Sequence, residues 1–165
     1  MLTNFKTFHA ISISKPLLCW TLSSKASELC QTLGYHRTTS VKEDKPEVLR
    51  YKQFLFWSTY YIDKSLSLRL GRASTIPDWD ITIKQPSTTD PNEPLLAYFA
   101  LWIKAARCQG NIYEMLYSPD SMYQSNDTRQ SRVQWLVSYL HELEKETQEI
   151  NVDRTYCLTD PSAKW

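Results

Sequence analysis

Glycine is scarce: three residues in 165. With so few flexible positions, a turn-dense β fold is disfavoured and long helices are favoured. The three glycines stand apart, so there is no glycine-rich phosphate loop. Charge of one sign is also lacking. The net charge is +1, the pI is about 7.6, and Lys and Arg are scattered. A domain that holds DNA through phosphates carries a basic patch and a high pI, so direct DNA contact by these residues is not expected. No apolar run approaches the length of a bilayer span. The stretch from Met1 to Cys19 is broken by His9, Ser12, Ser14, Lys15 and Pro16, which argues against a signal peptide.

The four cysteines, Cys19, Cys30, Cys108 and Cys157, show no zinc-knuckle spacing. On one helix Cys19 and Cys30 would sit about 16 Å apart, too far for a disulfide. Such cysteines suit a reducing compartment. His9, His36 and His141 lie in three separate segments, and none has a nucleophile or metal ligand at a useful spacing. No catalytic, cofactor or metal site is therefore expected.

Apolar content of 42% and six Trp, ten Tyr and five Phe supply a real core for one domain. Leu18, Leu22, Ala26, Leu29 and Leu33 recur at helical steps, with Ser14 as a cap, Pro16 in the first turn and Gly34 as the stop. Pro46 opens a second helix. It is apolar on two faces, Val48, Tyr51, Leu55, Ile62 and Leu66 on one, Phe54, Trp57, Tyr61 and Leu68 on the other. That pattern marks a central buried helix ending at Gly71. Leu95, Phe99, Trp102, Ala106, Tyr113 and Leu116 mark the third; Gly110 inside it suggests close helix packing. Asn126 or Asp127 can cap the fourth, with Val133, Leu136, Leu140, Leu143 and Ile150 inward. Glu142, Glu144, Glu146 and Glu149 crowd its far half and oppose the macrodipole there.

The expected fold is all-α, an irregular multi-helix domain over 15–150. Its four main helices lie near 16–33, 47–70, 94–117 and 128–150, with 1–14 and 151–165 as loosely structured ends. The polar stretch 38–45 reads as a loop. The connection 71–92 holds Pro77, Pro86 and Pro91 and cannot be one regular element; it reads as a long loop, ordered or mobile, and its length and composition make it the natural candidate for a mobile element. Ile81 and Ile83 hint at a short extended piece within it.

Two features could carry chemistry. Asp78 and Asp80 flank Trp79, and in an extended segment both would point the same way. The plainer reading is a loop that pairs with a neighbouring Arg. Asp63 lies inside the most apolar helix and needs a partner on another helix or a backbone N–H; it reads as an architectural anchor.

The run from Phe54 to Arg72 resembles the signature of the middle homology region, the regulatory domain of fungal zinc-cluster transcription factors. That pattern reads Phe-Trp-x-x-Tyr-x-x-Asp-Arg-x-x-Ser-x-x-x-Gly-Arg-Pro, followed by Asp-x-Asp-Ile. Ala73 stands at the position of the proline. The stretch from Leu22 to Arg37, with Gly34, His36 and Arg37, is similar to a second family segment. The stretch from Trp102 to Pro119, with Tyr113 and Tyr117, is similar to a third. The signature positions are thus Gly34, His36, Arg37, Phe56, Trp57, Tyr60, Asp63, Ser67, Gly71, Arg72, Asp78, Asp80, Tyr113 and Tyr117, in structural roles.

The resemblance implies a nuclear parent that controls transcription and binds DNA through a zinc-holding six-cysteine cluster. It implies that these residues are a fragment of the regulatory helical part, without the cluster and without the helices that precede about residue 15. Protein partners, or the rest of the factor, would then cover its open faces, and alone it is expected to self-associate, bind a hydrophobic dye or need a partner to stay soluble. Two other classes remain: a stand-alone helical interaction module, and a small helical ligand-binding protein or enzyme. A pocket lined jointly by Asp78, Asp80 and His36 would favour the last.

Overall fold

The computed structural model describes residues 15–86 and 94–159 together with Lys6; side chains at 94–95 and 151–159 lie outside that description. All regular structure among the described residues is helical. The helices are α1 (Pro16–Thr32), the single turn α2 (Thr38–Val41), α3 (Pro46–Leu70), α4 (Pro94–Ile112) and α5 (Asn126–Thr159). A π-helical turn, Tyr113–Tyr117, prolongs α4. Short 3-10 turns sit at Asp78–Asp80 and Asp120–Tyr123.

The ends follow local chemistry. Proline stands in the first turn of α1 and α3, where its missing N–H costs nothing. Lys15, not Ser14, holds the cap position of α1, and its side chain makes no capping bond; Ser14 lies outside the described residues. Ser125 caps α5 in place of Asn126 or Asp127: its hydroxyl accepts the Thr128 N–H at 3.2 Å. Gly34 and Gly71 have φ of 70° and 62°. Each closes a helix with paired reverse bonds, Tyr35 N to Cys30 O and Gly34 N to Gln31 O after α1, Arg72 N to Ser67 O and Gly71 N to Leu68 O after α3.

The helices stack in the order α1, α3, α4, α5. From Ile62 to Ser67 every residue of α3 is buried, because α1, α4 and the segment after Gly71 each cover a side. Phe56, Trp57, Tyr60, Ile76, Ile83, Ile103 and Ala106 form the main core. Cys19, Ile62 and Leu66 form a second cluster at the α1–α3 contact.

The inward faces match the expected stripes only in part: on α1 Ala26 is buried and Leu22 packs against the second cluster, while the other leucines face out. The side α1 buries is Cys19, Ser23, Ala26, Ser27 and Cys30. Leu18, Leu29 and Leu33 are 43%, 52% and 56% exposed. Small side chains let two backbones approach closely, and the bulk in this contact comes from Ile62 and Leu66 of α3. On α4 the buried side chains are Ala97, Ala100, Leu101, Ile103, Ala106 and Cys108, Phe99 packs against the core, and Trp102 is 56% exposed and stacks on Tyr61. On α5 Leu136 is buried, and Val133 and Leu140 are exposed.

Three other differences concern the connections. The expected loop 38–45 contains α2, which buries Val41. The helix α5 runs on to Thr159, so the four glutamates are mid-helix, and Glu146 pairs with Lys104 of α4 at 2.6 Å. The connection 71–92, expected as an ordered or mobile loop, is packed and bonded over its described part, 71–86; 87–93 lie outside the described residues. Among the described residues no helix is long and apolar enough to cross a membrane.

Candidate functional site

Trp57, Tyr60, Asp63 and Ser67 follow one another on α3 at steps of three, three and four, so they share one face. After the Gly71 turn the chain doubles back over that face. Each of the four side chains makes a polar contact with the returning segment.

The contacts run in order. Ser67 donates to Arg72 O at 2.5 Å. Asp63, fully buried, accepts the Thr75 N–H at 3.1 and 3.2 Å, the Thr75 hydroxyl at 2.6 Å and the Ser74 hydroxyl at 2.5 Å. A buried carboxylate is tolerable when several donors replace its hydration, and both oxygens are served here. Tyr60 donates to Asp78 Oδ1 at 2.7 Å. Trp57 Nε1 donates to Lys84 O at 3.0 Å. Ile76 and Ile83 fill the space beneath.

A second set of contacts fastens the same segment to the turn after α1. Asp80 accepts from Arg37 Nη2 at 2.7 Å and lies 3.2 Å from His36 Nε2. His36 O accepts the Thr82 and Ile83 N–H groups at 2.9 and 3.1 Å. Thr38 and Thr82 exchange two bonds, N–H to hydroxyl at 2.9 Å and hydroxyl to carbonyl at 2.7 Å. Gln31 Nε2 reaches Thr75 O at 3.1 Å, and the Arg72 guanidinium lies over the Trp20 ring.

Asp78 and Asp80 therefore do not act as a pair. The 3-10 turn sends Asp78 toward α3 and Asp80 toward His36 and Arg37. A polar hollow of about 360 Å³ is lined by His36, Arg37, Ser40 and Asp80 but not by Asp78. Tyr113 is half-buried and Tyr117 is exposed, both in the π-helical turn and outside this network. Phe56 is wholly buried against Trp57.

Around Asp78 the charges are compact. Lys64 Nζ stands 3.4 Å from its Oδ2, and Arg107 Nε donates to the Tyr60 hydroxyl at 3.4 Å. Burial, reinforced by the Asp78 carboxylate, pushes the Tyr60 phenol well above its ordinary value. Burial works against the Arg107 charge, but the Tyr60 hydroxyl and Asp78 outweigh it and raise its pKa. Burial raises the Cys30 and Cys108 thiols, which disfavours reactive thiolates. Among the described residues no group of three or more His, Cys, Asp or Glu is placed to hold a metal ion.

Sequence reasoning missed Lys64 and Arg107. The signal for Lys64 was its position beside Asp63 in the most apolar helix. Arg107, from α4, had no local signal.

The model of the fungal specific transcription factor domain matches residues 6–148, and the chain belongs to that family. It is 27% identical over 138 residues to an ABC-transporter-regulating transcription factor of Aspergillus oryzae, covering 78% of this chain and 15% of that protein. It is 33% identical over 110 residues to the negative regulator of pleiotropic drug resistance STB5 of Candida glabrata, covering 63% and 11%. It is 31% identical over 105 residues to protein STB5 of Saccharomyces cerevisiae, covering 60% and 14%. The chain thus spans about one seventh of the length of these relatives or less. No solved structure matches.

Proposed function

We propose that these residues are the regulatory helical part of a fungal transcription factor, acting in the nucleus and without enzymatic activity. Control runs through the state of the 71–86 segment on α3: fastened in one state, released in another, with an effector or protein partner preferring one of them. DNA contact and zinc binding belong to other parts of the parent protein.

One observation carries this reading. The polar ends of Trp57, Tyr60, Asp63 and Ser67 are engaged by the chain's own returning segment rather than presented to a substrate. A second reading, a helical protein-interaction module, is favoured by the exposed leucines of α1.

The test is a reporter in yeast. The chain is placed between an unrelated DNA-binding domain and an activation domain, at matched protein levels. The reading expects output to differ from the fusion without the insert, and to change again with Asp63→Asn. Output indifferent to both the insert and the substitution would refute it.

A further inference from the structure

Ser40 and Arg37 line the same polar hollow, which also touches Gln31, Gly34 and Asp80. Ser40 is exposed, and Arg37 keeps half of its side chain in solvent while bound to Asp80. The serine oxygen lies beside Gly34, in space that any larger residue at 34 would occupy: a Cβ there would stand 2.4 Å from it. A guanidinium three residues before an exposed hydroxyl is a feature that the acidic substrate cleft of an arginine-directed kinase can read.

We infer that Ser40 is a phosphorylation site whose phosphate takes Arg37 from Asp80 and so loosens the 80–83 segment. In the transfer the Ser40 oxygen attacks the γ-phosphorus of a nucleoside triphosphate. The Oγ–P bond forms, the bond from that phosphorus to the β,γ-bridging oxygen breaks, the nucleoside diphosphate leaves, and the hydroxyl proton passes to the kinase base.

The consequence follows from charge. The phosphate brings about 1.5 to 2 negative charges at neutral pH. It would share the hollow with the Arg37 guanidinium, the Asp80 carboxylate and the His36 imidazole. The phosphate forms the stronger two-pronged pair with the guanidinium and repels the carboxylate. Asp80 then loses its 2.7 Å bond to Arg37 and keeps only its 3.2 Å contact with His36, which weakens the hold of 36–38 on Thr82 and Ile83. Thr38 is the less favoured acceptor, because its hydroxyl is held by Thr82 O at 2.7 Å. The regulatory meaning rests on the reading of 71–86 given above; the chemistry of the site does not.

The experiment treats the full chain with the catalytic subunit of cyclic-AMP-dependent protein kinase and magnesium ATP. Peptide mass spectrometry locates the phosphate, and amide hydrogen exchange follows Thr82 and Ile83. Expected are one phosphate on Ser40, labelling kept in Thr39→Ala and Ser40→Thr, labelling lost in Ser40→Ala, and exchange of the two amides about tenfold faster after modification. Labelling that persists in Ser40→Ala, no labelling at all, or a phosphorylated Ser40 with unchanged protection would each overturn the inference. If the phosphate loosens 80–83 while the yeast reporter is indifferent to both the insert and Asp63→Asn, the site stands and the functional reading fails.

Discussion

Lys64 of α3 lies across Gly110 of α4: a Cβ built on Gly110 would stand 2.7 Å from Lys64 Cδ. The glycine, unfavourable in a mid-helix position, makes room for a buried lysine stem whose amine is then 3.4 Å from Asp78. Gly110→Ala gains about 1 kcal/mol of helix propensity but crowds a side chain pinned at its far end. The net expectation is a loss of about 1 kcal/mol, read as a lower urea midpoint. In a Lys64→Ala background the same change should become stabilising. Stabilisation in both backgrounds would show that Lys64 yields freely.

Asp63→Ala removes the acceptor for the Thr75 N–H and for two hydroxyls. Bonds to a charged group and the penalty for stranded donors put the loss near ~3 kcal/mol. Equilibrium unfolding in urea checks it. A loss under about 1 kcal/mol would mean that water replaces the carboxylate, and that the returning segment is not held there.

Trp57 is 1% exposed and its indole N–H is bonded to Lys84 O. Trp57→Ala should cost about 3–5 kcal/mol. Unchanged thermal stability would place this face in solvent.

Stability should fall on the alkaline side. The Tyr60 pKa is raised above its ordinary value of 10.0. Below pH 10 folded and unfolded states both hold the proton, and its contribution is complete. Above pH 10 the unfolded chain releases it while the folded chain retains it, so stability declines as pH rises. The buried thiols of Cys30 and Cys108, ordinarily at 9.0, act in the same direction from about one unit lower. Thermal melts from pH 8 to 11 should show a shallower decline for Tyr60→Phe than for the parent. Parallel curves would remove Tyr60 from the account.

How much of this could be read beforehand depends on the kind of interaction. The bounds of α3, expected at 47–70 and found at Pro46–Leu70, follow from a proline and a glycine whose backbone effects are local. The side of α1 that packs was only partly readable from its stripe, of which Leu22 and Ala26 face inward. Periodicity shows where large apolar side chains fall, but close approach to α3 selects the small ones, Ser23, Ala26 and Ser27. The need of Asp63 for a partner was legible from its apolar helix, and the Thr75 N–H supplies one. The divergence of Asp78 and Asp80 was not, because it depends on a 3-10 turn set by contacts to Tyr60 and Arg37, distant in sequence. The hold on 71–86 was hidden for the same reason. Composition marks a segment as irregular, while its fastening comes from side chains elsewhere.

The central claim is that the signature face of α3 exists to hold the returning segment. Amide hydrogen exchange at Thr75, Thr82 and Ile83 tests it most directly, since each N–H is bonded to Asp63 or to His36 O. The account predicts that all three exchange as slowly as amides in the core of α3, and that Asp63→Ala speeds Thr75 first and most. Exchange near the unprotected rate in the parent chain, with α3 itself protected, would contradict it.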